Sequence, residues 1–236
     1  MTLPVFPYTF IVLGTLLSAN VTPSEAAKSP QELKAACEKG TATACNSLGG
    51  KYVIGDGVAR DPGQAVAFYR KACDGEDMNS CSNLGSMYDA GAGVPRDPGQ
   101  AAALYRKACD GGDMNGCFNL GRMYMMGDGI PKDSSQAVTL YQKSCDGGNI
   151  LSCNNLGGMY ITGDGVSRDP GRGIALAKKA CDGGDALGCF GLGITYARGD
   201  VTPQDTAEAL KYFRKACDLR HQKACDLYSQ FKMDKR

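Results

Sequence analysis

The sequence is poor in histidine and has no cluster of basic residues. Its only histidine is His221, so the chain offers no set of histidines for a catalytic zinc ion, a metal that commonly uses several of them. The 26 lysines and arginines are balanced by 25 aspartates and glutamates, which gives a formal net charge of +1. A nucleic-acid-binding surface needs a concentrated basic patch. The composition therefore argues against a histidine-based metalloenzyme and against nucleic acid as a partner.

Cysteine, in contrast, is abundant and regularly placed. The 12 cysteines form six pairs, the members of each pair lie 8 residues apart, and the pattern recurs every 36 residues. A chain of 236 residues would usually fold as one or two domains, but this period indicates a repeat protein in which each unit buries its apolar face against its neighbours. The pairs are Cys37/Cys45, Cys73/Cys81, Cys109/Cys117, Cys145/Cys153, Cys181/Cys189 and Cys217/Cys225.

The spacing within each pair predicts a disulfide between two helices. Glycines such as Gly111 and Gly112 interrupt the segment between the cysteines, so two antiparallel helices joined by a tight turn fit better than one continuous helix. The Cβ atoms of the two cysteines could then approach to the distance of about 4 Å that a disulfide needs. Buried thiols and metal ligands are the alternatives, although zinc half-sites use shorter separations. Disulfides also require an oxidising compartment.

The amino terminus predicts such a compartment. Residues 3–19 form an apolar run as long as that of a secretory signal, and Ser24 and Ala26 offer small residues at the positions that signal peptidase reads. No lysine or arginine precedes Lys28, which departs from the usual signal pattern and argues against a mitochondrial transit peptide. We expect a cleaved signal peptide over residues 1–26, with an uncleaved anchor as the alternative. The mature protein is then secreted or periplasmic, without membrane association.

Each repeat is predicted to contain two helices, called A and B. The A helices are expected near 42–53, 78–89, 114–125, 150–161 and 186–197. The B helices are expected to start at aspartates that can act as N-caps, three of them followed by proline: Asp61, Asp97, Asp133, Asp169 and Asp205. The predicted units are an amino-terminal capping helix in 27–40, repeats at 41–76, 77–112, 113–148, 149–184 and 185–220, and a carboxyl-terminal capping helix in 221–236.

A leucine, a glycine and a tyrosine recur in every A helix. The leucine and the tyrosine are 4 residues apart, so they share one helix face and predict the core seam. The glycine between them costs helix stability and predicts close approach to a neighbouring helix. The fourth repeat has Gly171 and Gly173 in its B helix and Ala177 in place of an aromatic residue, so we expect extra mobility there. The recurring residues are Leu48/Leu84/Leu120/Leu156/Leu192, Gly49/Gly85/Gly121/Gly157/Gly193 and Tyr52/Tyr88/Tyr124/Tyr160/Tyr196.

Over residues 30–227 these motifs resemble a known family. The pattern Asn-Leu-Gly-x-Met-Tyr, a Gly-x-Gly-Val turn, Asp-Pro and Ala-x-x-x-Tyr-x-x-Ala-Cys-Asp-Gly-Gly is similar to Sel1-like repeats, which are relatives of tetratricopeptide repeats. The cysteine pair in each unit makes the chain similar to the secreted cysteine-rich Sel1-like proteins of bacteria, the Hcp type. With this resemblance, the expected fold is all-α: a right-handed α-α solenoid of five helix pairs plus capping helices, with one disulfide per repeat.

The resemblance implies two different functions. One is a scaffold that binds a protein or peptide through its concave face, and the other is penicillin binding with weak β-lactamase activity. The only Ser-x-x-Lys motif is Ser229 to Lys232, and no Ser-Asp-Asn or Lys-Thr-Gly partner motif accompanies it. The segment from Asp110 to Asp113 lacks the ligand spacing of a calcium loop and is interpreted as a turn. We therefore predict a monomeric scaffold with no catalytic residue, metal or cofactor.

The predicted binding face lies opposite the leucine–tyrosine seam of the A helices. Successive helical residues advance by about 100°, and the face changes from polar in repeats 1 and 2 to apolar in repeats 4 and 5. Such a surface suits an extended or helical peptide. Two alternatives stay open, because the apolar residues could fill gaps between A helices and the asparagines could bond to turns. The residues assigned to peptide binding are Asn83, Asn119, Asn155, Phe118, Arg122, Met125, Ile161, Phe190 and Ile194.

Overall fold

The computed structural model describes residues 28–233 as an α-solenoid, which confirms the predicted fold class. Within that range there are twelve helices and no strand. The helices are α1 Pro30–Glu38, α2 Ala42–Ile54, α3 Pro62–Asp74, α4 Met78–Ala90, α5 Pro98–Asp110, α6 Met114–Met126, α7 Ser134–Asp146, α8 Ile150–Thr162, α9 Pro170–Asp182, α10 Ala186–Arg198, α11 Thr206–Asp218 and α12 Gln222–Met233. The A helices are the even-numbered helices from α2 to α10, and the B helices are the odd-numbered helices from α3 to α11. The signal peptide expected over residues 1–26 lies outside the described residues.

Aspartate side chains fix the start of every B helix. The carboxylate of Asp61 accepts a hydrogen bond from the backbone N–H of Gln64 at 3.0 Å, which satisfies one of the donors left open at a helix start. Asp97, Asp133, Asp169 and Asp205 make the equivalent bonds. The B helices therefore begin where the sequence predicts.

Glycine and a recurring backbone bond close the turn after each A helix. Gly55 ends α2 in the left-handed conformation with φ of 80°, which glycine adopts without a Cβ penalty. The N–H of Asp61 then donates to the carbonyl of Tyr52 at 3.0 Å. The same bond joins Asp97 to Tyr88, Asp133 to Tyr124, Asp169 to Tyr160 and Asp205 to Tyr196. Each B helix is thus tied to the end of its own A helix.

Six disulfides join the end of one helix to the start of the next, as predicted. All 12 cysteines are paired as Cys37–Cys45, Cys73–Cys81, Cys109–Cys117, Cys145–Cys153, Cys181–Cys189 and Cys217–Cys225. The Cα–Cα distances are 4.5 to 4.7 Å, and every sulfur pair is separated from its neighbours by one repeat. Closing so short a loop stabilises the fold by roughly 2.5 kcal/mol per bridge in the chain-entropy model. One disulfide therefore supports each helix-to-helix turn.

Lysines near the ends of B helices link successive repeats. The Nζ of Lys107 donates to the carbonyl of Cys73 at 3.0 Å, and Lys143 donates in the same way to Cys109 at 2.7 Å. Lys179 continues the series with the carbonyl of Cys145 at 3.1 Å. Each ammonium lies at the negative end of the preceding B helix, where a cation is favourable. These hydrogen bonds therefore connect each B helix to the disulfide turn of the preceding repeat.

The leucine–tyrosine seam forms the core, and its glycines make the predicted close approach. The five leucines are all at most 3% exposed. A Cβ added at Gly85 would lie 2.9 Å from the ring of Tyr105, and one at Gly193 would lie 2.5 Å from the ring of Phe213. Aromatic rings of the B helices therefore fill the space that a side chain on the A helix would need.

The fourth repeat replaces this ring contact with a contact between backbones. Ala177 stands where the other repeats place an aromatic residue, and Gly157 and Gly173 face each other. Gly173 is buried, so its lack of a side chain allows close helix packing and does not leave a void. The extra mobility expected of this repeat stays a prediction.

The described helices can be checked for membrane-spanning character. Among residues 28–233, no helix is both long enough and apolar enough to cross a bilayer. Their disulfides indicate an oxidising environment, because cytosolic thiols are kept reduced.

Candidate binding surface

The candidate site is a surface that runs across the five A helices. We call it the A face and define it by the four positions of each A helix that helical geometry places opposite the leucine–tyrosine seam. Most of its residues are partly exposed, whereas Asn46, Ser82 and Ala197 are buried. Its members are Thr43, Asn46, Gly50, Val53, Asn79, Ser82, Ser86, Asp89, Asn115, Phe118, Arg122, Met125, Leu151, Asn154, Gly158, Ile161, Leu187, Phe190, Ile194 and Ala197.

Amides and hydroxyls form the end of the A face that lies in repeats 1 and 2. The Nδ2 of Asn83 donates to Oδ1 of Asn46 at 3.1 Å, and the two side chains bridge adjacent A helices. Both residues are buried. The alternative that these asparagines bond to turns is therefore wrong for Asn83, because its partner lies on the preceding A helix. Asn119 and Asn155 are partly exposed.

Tyrosines of the B helices place their hydroxyl groups beneath the A face. The hydroxyl of Tyr105 donates to Oγ of Ser86 at 3.0 Å, and the hydroxyl of Tyr141 is hydrogen-bonded to the side chain of Asn155. Among the described residues, the buried hydroxyl of Tyr69 has no such partner. The residues at the equivalent positions of the repeat explain this. Gly50 stands where the next repeat has Ser86, and Asn83, the equivalent of Asn155, donates its amide to Asn46 instead. Burial raises the pKa of Tyr105 to about 12, and it raises the pKa of Tyr69 and Tyr141 as well.

An ion-pair network occupies the middle of the A face. The guanidinium of Arg122 on α6 donates to the carboxylate of Asp89 on α4. Arg96 extends the network through its Nε, which donates to the carbonyl of Asp89 at 2.9 Å, and through a salt bridge to Asp128. Arg122 and Asp89 are only 22% and 16% exposed, so their charges are largely matched within the protein. Arg122 therefore sits on the surface as predicted but already has a carboxylate partner.

The end of the A face in repeats 4 and 5 is apolar and open. Leu151 is 40% exposed and Leu187 is 58% exposed, at equivalent positions of α8 and α10. Ile161 and Ile194, further along the same two helices, are partly exposed. The neighbouring glycines Gly158 and Gly191 have open space where a Cβ would lie. This arrangement provides apolar side chains beside a surface of small residues.

The aromatic residues of the A face have a second role in packing. The rings of Phe118 and Tyr141 lie 6.0 Å apart, and those of Phe190 and Phe213 also lie 6.0 Å apart. Each phenylalanine thus packs against the B helix of its own repeat, and not only between A helices as the packing alternative supposes. Phe118, Phe190 and Met125 nevertheless stay partly exposed, so they contribute to both the core and the surface.

The other sequence motifs have structural explanations. Met87, Met123 and Met159 are buried core residues. Asp113 and Asp185 cap α6 and α10 through backbone N–H groups, which confirms the turn interpretation, and residues 28–233 contain no group of three His, Cys, Asp or Glu side chains that could hold a metal. Ser229 and Lys232 are exposed on α12, and this geometry adds no support for β-lactam chemistry.

Two features of the site were missed in the sequence. The ion pair between Asp89 and Arg122 joins residues 33 positions apart, and the opposite charges at similar places in adjacent A helices were the available signal. The tyrosine hydroxyls were missed because no role was predicted for the B-helix residues Tyr69, Tyr105 and Tyr141. Their recurrence at a fixed distance from polar A-helix residues could have indicated the contact.

Comparisons with known proteins identify the repeat. The family model described as Sel1 repeat matches residues 42–77, 79–113, 115–149, 150–185 and 186–221. A protective antigen of uropathogenic Escherichia coli with an SLR fold is similar in structure, with 33% identity, a TM-score of 0.76 and coverage of 82% of this chain. This chain spans 42% of that antigen's length.

A second similar structure has a length close to that of this chain. It is a Sel1 repeat protein from Oxalobacter formigenes, with 27% identity, a TM-score of 0.74 and coverage of 83% of this chain and 85% of that one. No curated protein matches the sequence significantly.

Proposed function

The chain belongs to the Sel1 repeat family, and we propose that it is an exported, disulfide-stapled scaffold that binds an extended segment of a partner protein along its A face. Sel1 repeats generally mediate protein–protein interaction. The observation that carries the proposal is the pair of exposed leucines, Leu151 and Leu187, at equivalent positions of adjacent A helices. Exposed apolar side chains grouped in this way are typical of interaction sites.

The two ends of the A face would contact different parts of the partner. Apolar side chains of the bound segment would pack on Leu151, Ile161, Leu187, Phe190 and Ile194, and a spacing of one repeat between equivalent leucines sets the distance between them. The partly exposed amides of Asn119 and Asn155 can donate to main-chain carbonyls without regard to sequence. These two amides belong to repeats 3 and 4. At the polar end, in repeats 1 and 2, the bond from Asn83 to Asn46 holds two A helices together.

The middle of the A face would fix the register of the partner. Asp89 holds the guanidinium of Arg122, and an acidic residue of the partner could share that guanidinium only at one position along the groove. Phe118 and Met125 flank Arg122 in the same helix. We therefore assign Arg122 the role of orienting the bound segment, and the apolar end the role of supplying affinity.

Export is supported by the chemistry of the disulfides. Twelve paired cysteines require an oxidising compartment, such as the bacterial periplasm or the cell exterior. The apolar run in residues 3–19 would direct the chain there. The predicted repeat boundaries are part of this proposal, in which the protein acts as a monomer.

Peptide selection tests the proposed site. Random displayed peptides are selected against the oxidised protein, and the dissociation constant of the best binder is measured for the unmodified chain, Leu187→Asp and Leu219→Asp. A carboxylate at Leu187 would have to lose water against an apolar ligand, so we expect binding to weaken about tenfold or more. Leu219 is also an exposed leucine, 38% accessible, but it lies at a disulfide turn and serves as the matched control. Equal affinity of all three proteins would contradict the assignment of the site.

A further inference from the structure

The only histidine of the chain occupies a recurring helix-capping position. The N-cap positions of the helices that follow disulfide turns are Thr41, Asp77, Asp113, Asn149, Asp185 and His221. Thr41 makes no side-chain cap bond. In four of these, an aspartate or asparagine oxygen accepts a backbone N–H. At the start of α12 an imidazole has replaced that oxygen.

His221 performs the same capping role with a ring nitrogen. The N–H of Ala224 is shared between Nδ1 of His221 at 3.2 Å and the carbonyl of His221 at 3.0 Å, whereas the N–H of Ser80 donates to the carboxylate of Asp77 at 2.7 Å. The backbone of His221 is also fixed, because its own N–H donates to the carbonyl of Ala216 at 3.0 Å. The imidazole stacks on the ring of Phe190 with a centroid distance of 4.4 Å. One side chain thus connects α12 to α10.

The two kinds of cap respond differently to acid. A ring nitrogen can accept a hydrogen bond only while it carries no proton, and an imidazolium has donors at both nitrogens. Imidazole is the side chain that changes its charge between about pH 5 and 8, a range in which aspartate carboxylates stay ionised. The capping bond at α12 is therefore the one of this series that mild acid removes.

The charges around His221 act in both directions. Asp185, the N-cap of α10, interacts electrostatically with the histidine, and burial raises the pKa of this carboxyl group. That carboxylate is partly committed already, because it accepts the N–H groups of Leu187 and Gly188 at 3.1 Å. From its own segment His221 is flanked by Asp218 at the end of α11, by Arg220 and by Lys223. The positive amino-terminal end of α12 disfavours a cation.

We propose that protonation of His221 removes the N-cap of α12 and loosens this helix against the fifth repeat, so that the carboxyl-terminal cap of the solenoid is sensitive to mild acid. The side-chain caps of α4, α6 and α8, which come from Asp77, Asp113 and Asn149, stay in place. Phe190 belongs to the A face, so the same step would alter its apolar end. Only this last consequence rests on the proposed function; the loosening of α12 does not require any ligand.

Hydrogen exchange followed by mass spectrometry tests the proposal on the full oxidised chain. Amide exchange is measured at pH 7.5 and pH 5.0, conditions that bracket the titration of an imidazole, and rates are corrected for the intrinsic effect of pH. We expect the first turns of α12 to exchange about fivefold faster at the lower pH, the factor that loss of one typical cap corresponds to. The amino-terminal turns of α4, capped by Asp77, are the internal reference and should not change.

Two substitutions make the test specific to the imidazole. His221→Asn and His221→Asp install the caps that the chain itself uses at Asn149 and Asp185. Both variants should protect α12 at pH 7.5 as the unmodified chain does, and both should lose the acid response. The proposal is overturned if the unmodified chain protects α12 equally at the two pH values, or if the variants show the same acid-dependent exchange.

Discussion

A methyl group at Gly157 would lie only 2.9 Å from the carbonyl oxygen of Gly173, and one at Gly173 would lie 2.7 Å from the carbonyl oxygen of Gly157. The helices of the fourth repeat therefore meet backbone to backbone. In the second repeat the ring of Tyr105 fills the equivalent space. The small residue Ala177 makes this different packing possible.

Replacement of Gly157 by alanine should destabilise the protein. The new methyl group would press on backbone atoms, which cannot move away as the end of a flexible side chain could, and overpacking of this kind costs about 1–3 kcal/mol. The free energy of unfolding of the oxidised protein, from urea denaturation, measures the effect.

The adjacent residue provides the control for this prediction. Gly158 lies in the same helix, α8, and has nothing within 4 Å of the position of an added Cβ. Gly158→Ala should therefore raise stability by roughly 0.5–1 kcal/mol, because alanine favours the helix. A loss of stability of similar size in both variants would contradict the close packing of the two backbones.

The tyrosine hydroxyls under the A face should differ in their contributions to stability. Tyr105→Phe removes a hydrogen bond to Ser86 and should cost about 1 kcal/mol. Tyr69→Phe removes a buried hydroxyl that has no partner in the described structure, so it should leave stability unchanged or raise it. Thermal unfolding of the two variants, which differ from the parent by one oxygen each, compares them directly. A larger loss for Tyr69→Phe than for Tyr105→Phe would show that Tyr69 has a partner, such as an ordered water.

Alkaline pH should weaken the fold through the same tyrosines. Burial raises the pKa of Tyr105 to about 12, whereas an unfolded tyrosine ionises near pH 10. The folded state therefore keeps its proton longer, and stability should be constant up to about pH 10 and fall as the pH rises towards 12. Tyrosinate absorbance, recorded together with circular dichroism, follows the titration. Tyr105→Phe should reduce this alkaline sensitivity, and an unchanged pH profile in that variant would argue against the assignment.

Replacement of Glu76 by glycine should raise the stability of the protein. It adopts a φ of 64° at a turn position where the equivalent residue Gly112 has a φ of 92°, and an L side chain is strained there. Glu76→Gly should stabilise the protein by roughly 0.5–1 kcal/mol, since part of the relief is offset by the greater freedom of unfolded glycine. Gly112→Ala, at a site with open space for a Cβ, should lose a similar amount. Calorimetry of both variants measures the two shifts, and shifts of the same sign would contradict the strain argument.

Local structure could be predicted from the sequence because the residues that start and end each helix recur in every repeat. The predicted A helices agree with the observed bounds to within one residue, since Asp77 and its equivalents mark the starts and Gly91 and its equivalents mark the ends. The same register located each disulfide. The glycine in the leucine–tyrosine seam also indicated close helix approach before its partner was known.

Contacts between repeats could not be predicted in the same way. The bond from Asn83 to Asn46 and the ion pair from Arg122 to Asp89 depend on the rotation of one A helix against the next, and a 36-residue period does not encode that rotation. The hydroxyl of Tyr69 has no partner among the described residues, because Gly50 replaces the serine found at position 86 and the amide of Asn83 is engaged by Asn46. The stacking of His221 on Phe190 likewise follows from the final turn of the stack.

The intact mass of the protein recovered from the bacterial envelope is the most direct test of an exported, disulfide-stapled scaffold. The sample is alkylated under denaturing conditions, once without reduction and once after it, and disulfide-linked peptides are then mapped. We expect no alkylated cysteine before reduction, 12 after it, links only within the six pairs, and loss of the residues up to about position 26, where small residues suit the signal peptidase. Alkylated cysteines in an unreduced chain that retains its amino terminus would contradict it.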